Sequence, residues 1–235
     1  MRFALVVFSL LCVFSFAEAK EYGNYNLKHS LKKIITVSDA STGAHTSVHL
    51  DYLDQILTDL SLHARNYPPT FDTPQDKARA VEDVKTLSVL LDTLVNGPNP
   101  HPELLLRAGL LNSIGHNLDI PGTADEAKLL FQRLLATSPS DPRANYHYGT
   151  FLAGAAKSRE ALPYLEKALS AGVGDAAYSI GMAYLILGDK QKALANLEAY
   201  QHHRPNDEPL TKLIDDIRNG QFKIQWSRMR DERVR

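Results

Sequence analysis

The chain has 235 residues, 44% of them hydrophobic and 23% charged, with a formal net charge of -1. That length suits one ordinary domain or an elongated repeat array, and the apolar share excludes global disorder. The near-neutral balance lacks the basic footprint of a dedicated nucleic-acid binder.

The chain opens with a short positive stretch, Met1-Arg2, then an almost wholly apolar run from Phe3 to Phe16, then Ala17-Glu18-Ala19. This is the plan of a cleavable secretory signal over residues 1–19, with processing expected near Ala19. The apolar run is shorter than the roughly 20 residues a spanning helix needs. Cys12, the only cysteine, lies inside it. A processed chain therefore has no disulfide and no thiolate metal site, and its stability must come from packing. The expected location is periplasmic or secreted. Residues 20–46 carry Lys28, Lys32 and Lys33 around Leu31, Ile34 and Ile35, followed by a turn-rich stretch from Ser38. They are expected to form a flexible arm.

Residues 47–97 predict a helical hairpin. Leu53, Ile56, Leu57 and Leu60 share one helical face, and Tyr67-Pro68-Pro69 ends that helix. Thr73 then stands ahead of Pro74 as a cap residue before a proline at the first helical position. Val84, Leu87, Leu91 and Leu94 form the next apolar stripe. The linker from Gly97 to Pro102 is stiff and short, which suits direct stacking on the helix after it.

Residues 103–219 contain a repeat. Ile114-Gly115, Tyr148-Gly149 and Ile180-Gly181 register on one another, with glycine-to-glycine steps of 34 and 32 residues. Three residues after each glycine stand Leu118, Leu152 and Tyr184; twelve after, Ala127, Ala161 and Ala193; sixteen after, Phe131, Leu165 and Leu197. Small residues at the glycine and alanine positions let paired helices approach closely while the large ones fill the seam. Pro121-Gly122 and Gly188-Asp189 mark turns within units, and Thr123-Ala124-Asp125-Glu126 reads as a capping box. Pro139 and Pro205 close the first and third units.

This pattern resembles the tetratricopeptide (TPR) repeat over about Ala108 to Asp207. The family's early tryptophan is replaced by Leu111, Asn145 and Ala177, and the second unit has Val173 in place of its closing proline. The resemblance implies an all-α, TPR-like helical-hairpin solenoid that binds protein or peptide and needs no cofactor. A capping helix is predicted after Asp207, because Leu210, Leu213, Ile214 and Ile217 fall on one face. The tail, residues 220–235, holds five basic and two acidic residues beside Phe222, Ile224 and Trp226. It suits either contact with an anionic membrane surface or folding back onto the last repeat.

Chemistry finds little purchase. No zinc-protease helix, nucleophile elbow, phosphate loop or dinucleotide glycine motif is present. His202-His203 point about 100° apart on a helix, and His45 and His49 have no obvious third ligand. No catalytic or metal-binding residue is expected, and the chain reads as a scaffold, with a self-associating structural subunit or membrane-surface adaptor as alternatives. The resemblance places partner contacts on the first helix of each unit. Counted from the three glycines, these are Asn112 and His116, then Arg143, Tyr146, His147 and Thr150, then Asp175, Tyr178 and Met182.

Overall fold

In the computed structural model, residues 21–37 and 46–222 are described. The expected signal segment and most of the basic tail lie outside them. Three helical hairpins follow one another: α4 (Pro102–Asn117) with α5 (Thr123–Thr137), α6 (Pro142–Gly154) with α7 (Ser158–Ser170), and α8 (Asp175–Ile186) with α9 (Lys190–His202). Each helix packs on its hairpin partner, and the second helix of each hairpin packs on the first helix of the next. α10 (Glu208–Arg218) covers α9. The body is an all-α, TPR-like solenoid.

The glycine register is a steric requirement. A Cβ on Gly149 would lie 2.7 Å from Cδ2 of Leu165, and one on Gly181 would lie 2.7 Å from Cγ of Leu197. At Gly115 the obstruction is Thr123 Cγ2, at 2.8 Å. Ala127, Ala161 and Ala193 are fully buried. The capping box expected at Thr123 does not form. Gly122 takes the cap position with a left-handed φ of 81°, and Thr123 is already helical and buried. Its methyl fills the space above Gly115, while its hydroxyl donates to the Ile120 carbonyl at 2.7 Å. Seam packing takes the side chain that local capping would have used.

α3 (Pro74–Val95), α4, α6, α9 and α10 are capped by side chains ahead of them. Thr73 Oγ1 accepts from the Asp76 amide at 3.1 Å, and Asp141 Oδ1 accepts from the amides of Arg143 and Ala144, both at 2.9 Å. Asp189 and Asp207 do the same for α9 and α10. The short second unit is closed without proline. Gly172, at φ 93°, donates to the Leu169 carbonyl, and Val173 donates to that of Ala168, which satisfies the last carbonyls of α7.

The amino-terminal region differs from expectation. The segment read as a flexible arm is folded over residues 21–37: a short helix α1 (Leu27–Ser30), a 3-10 turn (Leu31–Lys33) and strand β1 (Ile35–Val37). β1 pairs antiparallel with β2 (Thr46–Val48), Ile35 opposite Val48. Tyr22 and Ile34 are 1% and 0% exposed, and Leu27 is buried with them. α2 (Leu50–Ala64) and α3 (Pro74–Val95) both lie against α4, but they do not close on each other as a tight hairpin. The segment from Tyr22 wedges between them. Tyr22 donates its hydroxyl to Asp83 of α3 at 2.9 Å, and its carbonyl accepts from Arg79 at 3.0 Å. On the other side, the Gly23 amide and the Tyr25 hydroxyl both donate to Oδ2 of Asp59 on α2, at 2.9 and 2.7 Å. The Tyr22 ring stands edge-on to His63 and Phe71, 5.7 and 6.1 Å between centroids. Burial, and after it the Asp83 carboxylate, pushes the Tyr22 phenol up, so it remains a donor.

Candidate partner-binding groove

The first helices α4, α6 and α8 adjoin one another, which sets the equivalent positions Asn112, Tyr146 and Tyr178 along one row. The row is uneven. Asn112 is 2% exposed and turns its amide back to the Ala108 carbonyl at 2.9 Å, so it offers nothing to a partner. A buried asparagine must satisfy its own donors, and this one does so on a carbonyl one turn back on its own helix. Tyr146 is half-buried, and Tyr178 is 37% exposed. The open part of the row therefore lies on α6 and α8.

A second row holds His116, Thr150 and Met182, all half-buried. His116 stands edge-on to Phe151 at 6.0 Å, and Thr150 donates to the His147 carbonyl at 3.0 Å. Met182 packs toward the small core beneath α10. Arg143 faces α4, where both terminal nitrogens of its guanidinium reach Glu103. Glu103 also accepts from Arg107 at 2.6 Å, and Arg107 forks onto Asp54 of α2 at 2.7 and 2.6 Å. This ladder of charges ties α2, α4 and α6 together along the groove.

The groove also contains residues that sequence reasoning missed. Asp175 accepts from the Tyr200 hydroxyl and from Arg204, each at 3.2 Å. The Arg204 guanidinium lies over the Tyr200 ring at 5.0 Å, and that ring meets Tyr178 at 5.6 Å. Arg65, at the carboxyl end of α2, acts on both Tyr146 and His147. The spacing of Tyr200 and Arg204, one turn apart, is a signal the sequence does carry. Arg65 lies outside the registered units and carries none.

Burial pushes the phenols of Tyr146 and Tyr178 up, so both present protonated hydroxyls. Burial, reinforced by Arg65 and Arg143, pushes His147 down to about 4, and the groove floor is neutral there at pH 7. The hydrogen bonds from Arg143 and then Arg107 hold Glu103 down to about 2. Both shifts have the same sign for stability. Each group binds protons more readily unfolded than folded, so its contribution is complete above its unfolded value and lost as pH falls toward its folded one. Stability should therefore decline first between pH 6.5 and about 4 through His147, then between pH 4.5 and about 2 through Glu103. Urea unfolding at stepped pH checks this. His147→Asn should flatten the first decline and Glu103→Gln the second; parallel profiles for all three proteins would refute the assignment.

No cluster of histidine, cysteine or acidic side chains suited to a metal ion occurs among the described residues. His202 and His203 are exposed at the end of α9, and His49 touches Thr36 at 3.1 Å; His45 lies outside the described residues.

No protein-family model matches the chain. Over 119 residues it is 34% identical to the aspartyl/asparaginyl beta-hydroxylase of Homo sapiens, and equally to that of Mus musculus. The match covers 51% of this chain but 14% of each enzyme. Among solved structures, a thermophilic TPR protein of Thermus thermophilus superposes with a TM-score of 0.48 at 15% identity, over 72% of this chain and 92% of that one. What the chain shares with the two mammalian enzymes is thus confined to about a seventh of their length.

Proposed function

We propose that this chain is an exported, non-catalytic scaffold that holds a polypeptide partner against α6 and α8, and so positions or assembles it. One observation carries the reading: tyrosines recur at equivalent positions of adjoining first helices, Tyr146 half-buried and Tyr178 open. A tyrosine offers a rigid apolar body and a polar tip at low entropic cost, the properties that concentrate binding energy at interfaces. The two mammalian enzymes act on aspartyl and asparaginyl groups by name. The similarity covers a small part of them, and it supports a shared helical module without carrying their chemistry over.

The test begins with capture from the native compartment by the full chain, with the captured protein then purified and titrated by calorimetry. Each tyrosine at an interface centre contributes about 2 kcal/mol, so Tyr146→Ala/Tyr178→Ala should weaken Kd by well over tenfold. A partner that binds the double variant as tightly as the wild type would place the interface elsewhere.

A further inference from the structure

We propose that Asn96 is a site of spontaneous deamidation, where the side-chain amide becomes an aspartate or isoaspartate carboxylate between α3 and α4. The site is separate from the groove and needs no partner.

An asparagine followed by glycine is open to attack by the next backbone nitrogen, because glycine has no side chain to crowd it. The Gly97 nitrogen gives its proton to hydroxide and bonds to Cγ of Asn96. The Cγ–Nδ2 bond breaks, and that nitrogen takes a proton from water and leaves as ammonia. Water then opens the five-membered imide at either carbonyl, giving aspartate or isoaspartate. The sequence holds this dipeptide twice, at Asn96-Gly97 and Asn219-Gly220. Asn99 is followed by a proline, whose nitrogen has no hydrogen to lose.

The two sites start alike. Both asparagines end a helix and are exposed, with φ −74° and ψ −6° at Asn96 and φ −81° and ψ −1° at Asn219. The imide ring is nearly flat and sets the glycine nitrogen in line with Cβ, which requires ψ far from these values. What that rotation breaks differs between them. At Asn219 the Gly220 amide donates to the Ile217 carbonyl at 3.1 Å, and Gln221 and Phe222 donate to that of Asp216 at 2.8 and 3.0 Å. Turning ψ there undoes the whole cap. At Asn96 the amides of Gly97 and Asn99 have no acceptor among the described residues, and the next bonded amide is that of Glu103. The turn disturbs only the contact from Arg133 of α5 to the Gly97 carbonyl, long at 3.4 Å. A Cβ on Gly97 would meet nothing within 4 Å, so the segment has room to move.

The new carboxylate stands at the carboxyl end of α3, where the helix dipole opposes it. Arg133, which reaches the carbonyls of Val95 and Gly97 on either side, is placed to answer its charge. The isoaspartate form also adds a methylene to the backbone of the linker that sets α3 on α4.

The test incubates the full chain at mildly alkaline pH and body temperature for weeks, then reads tryptic peptides by mass spectrometry. Trypsin separates the two sites into peptides 86–107 and 219–223, and a sample digested without incubation sets the baseline. Deamidation at Asn96 should run at least about tenfold faster than at Asn219, because only Asn219 must break its cap bonds first. In guanidinium chloride both dipeptides lose their surroundings, and the two rates should converge. Gly97→Ala, which the open space accepts, should slow the reaction at Asn96 and leave that at Asn219 unchanged. Equal rates in the folded protein, including no reaction at either site, would overturn the proposal. So would a ratio that persists in guanidinium chloride, since local sequence and not the fold would then cause it.

Discussion

Replacing Gly149 by leucine should lower the melting temperature by about 6–12 °C, while the same helix should accept Gly154→Ala without loss. The contrast comes from the seam between α6 and α7. A Cβ at Gly149 would stand 2.7 Å from two side-chain atoms of Leu165 and 3.2 Å from its backbone nitrogen. The side chain can rotate, but the backbone cannot move without shifting α7. A Cβ at Gly154 meets nothing within 4 Å. Overpacking of a tight core typically costs about 1–3 kcal/mol, and a leucine here brings three further carbons beyond the Cβ. Taking about 3 kcal/mol and about 2–4 °C per kcal/mol for a chain of this size gives the stated shift. At Gly154 the gain in helix propensity should leave stability equal or slightly higher. Equal melting of Gly149→Leu and wild type would show that the repeat register is misplaced.

The second large effect is expected at Tyr22. Truncation to alanine removes a buried ring from among His63, Phe71 and Tyr25, and leaves the Asp83 carboxylate without its donor. Loss of a fully buried aromatic costs about 3–5 kcal/mol, and the half-buried carboxylate adds to it. Tyr22→Phe keeps the packing and should cost only about 1–2 kcal/mol. Calorimetric melting of the two variants separates ring from hydroxyl. If Tyr22→Ala melts with the wild type, the amino-terminal segment is not a structural wedge and its burial is incidental.

The three hairpins were legible in the sequence because their chemistry repeats. Gly115, Gly149 and Gly181 stand at steps of 34 and 32 residues, and each faces a side chain of the following helix. A pattern that recurs at fixed offsets reports tertiary contacts, since neighbouring units bury the same faces. The wedge had no such signal. Tyr22, Tyr25, Leu27 and Ile34 follow neither the helical nor the strand period, because they fill a cleft shaped by two other helices. Thr123 shows a different limit. Its local sequence reads equally as a cap or a packing residue, and only the space above Gly115 decides between them. In the groove, the register placed Asn112 level with Tyr146, but register says nothing about whether a side chain turns outward or back on its helix. Arg65 was hidden because the contact that delivers it, between the end of α2 and Asn117, joins parts of the chain far apart in sequence.

The buried apolar interior thins toward the carboxyl end. One body of packed side chains runs from Tyr22 to Ile180, and a second, far smaller one holds Leu197, Leu210, Ile214 and Ile217 beneath α10. A linear stack with a thin last link melts from that end, and local opening there takes less free energy than opening at the centre. Tyr200 stands on this last link and Arg204 lies just beyond it, so the carboxyl-side wall of the groove belongs to the portion that opens most readily. A partner held between α6 and this wall would then do more than dock. It would clasp the terminal hairpin to the rest of the body, and its grip would be felt as slower amide exchange in α9 and α10.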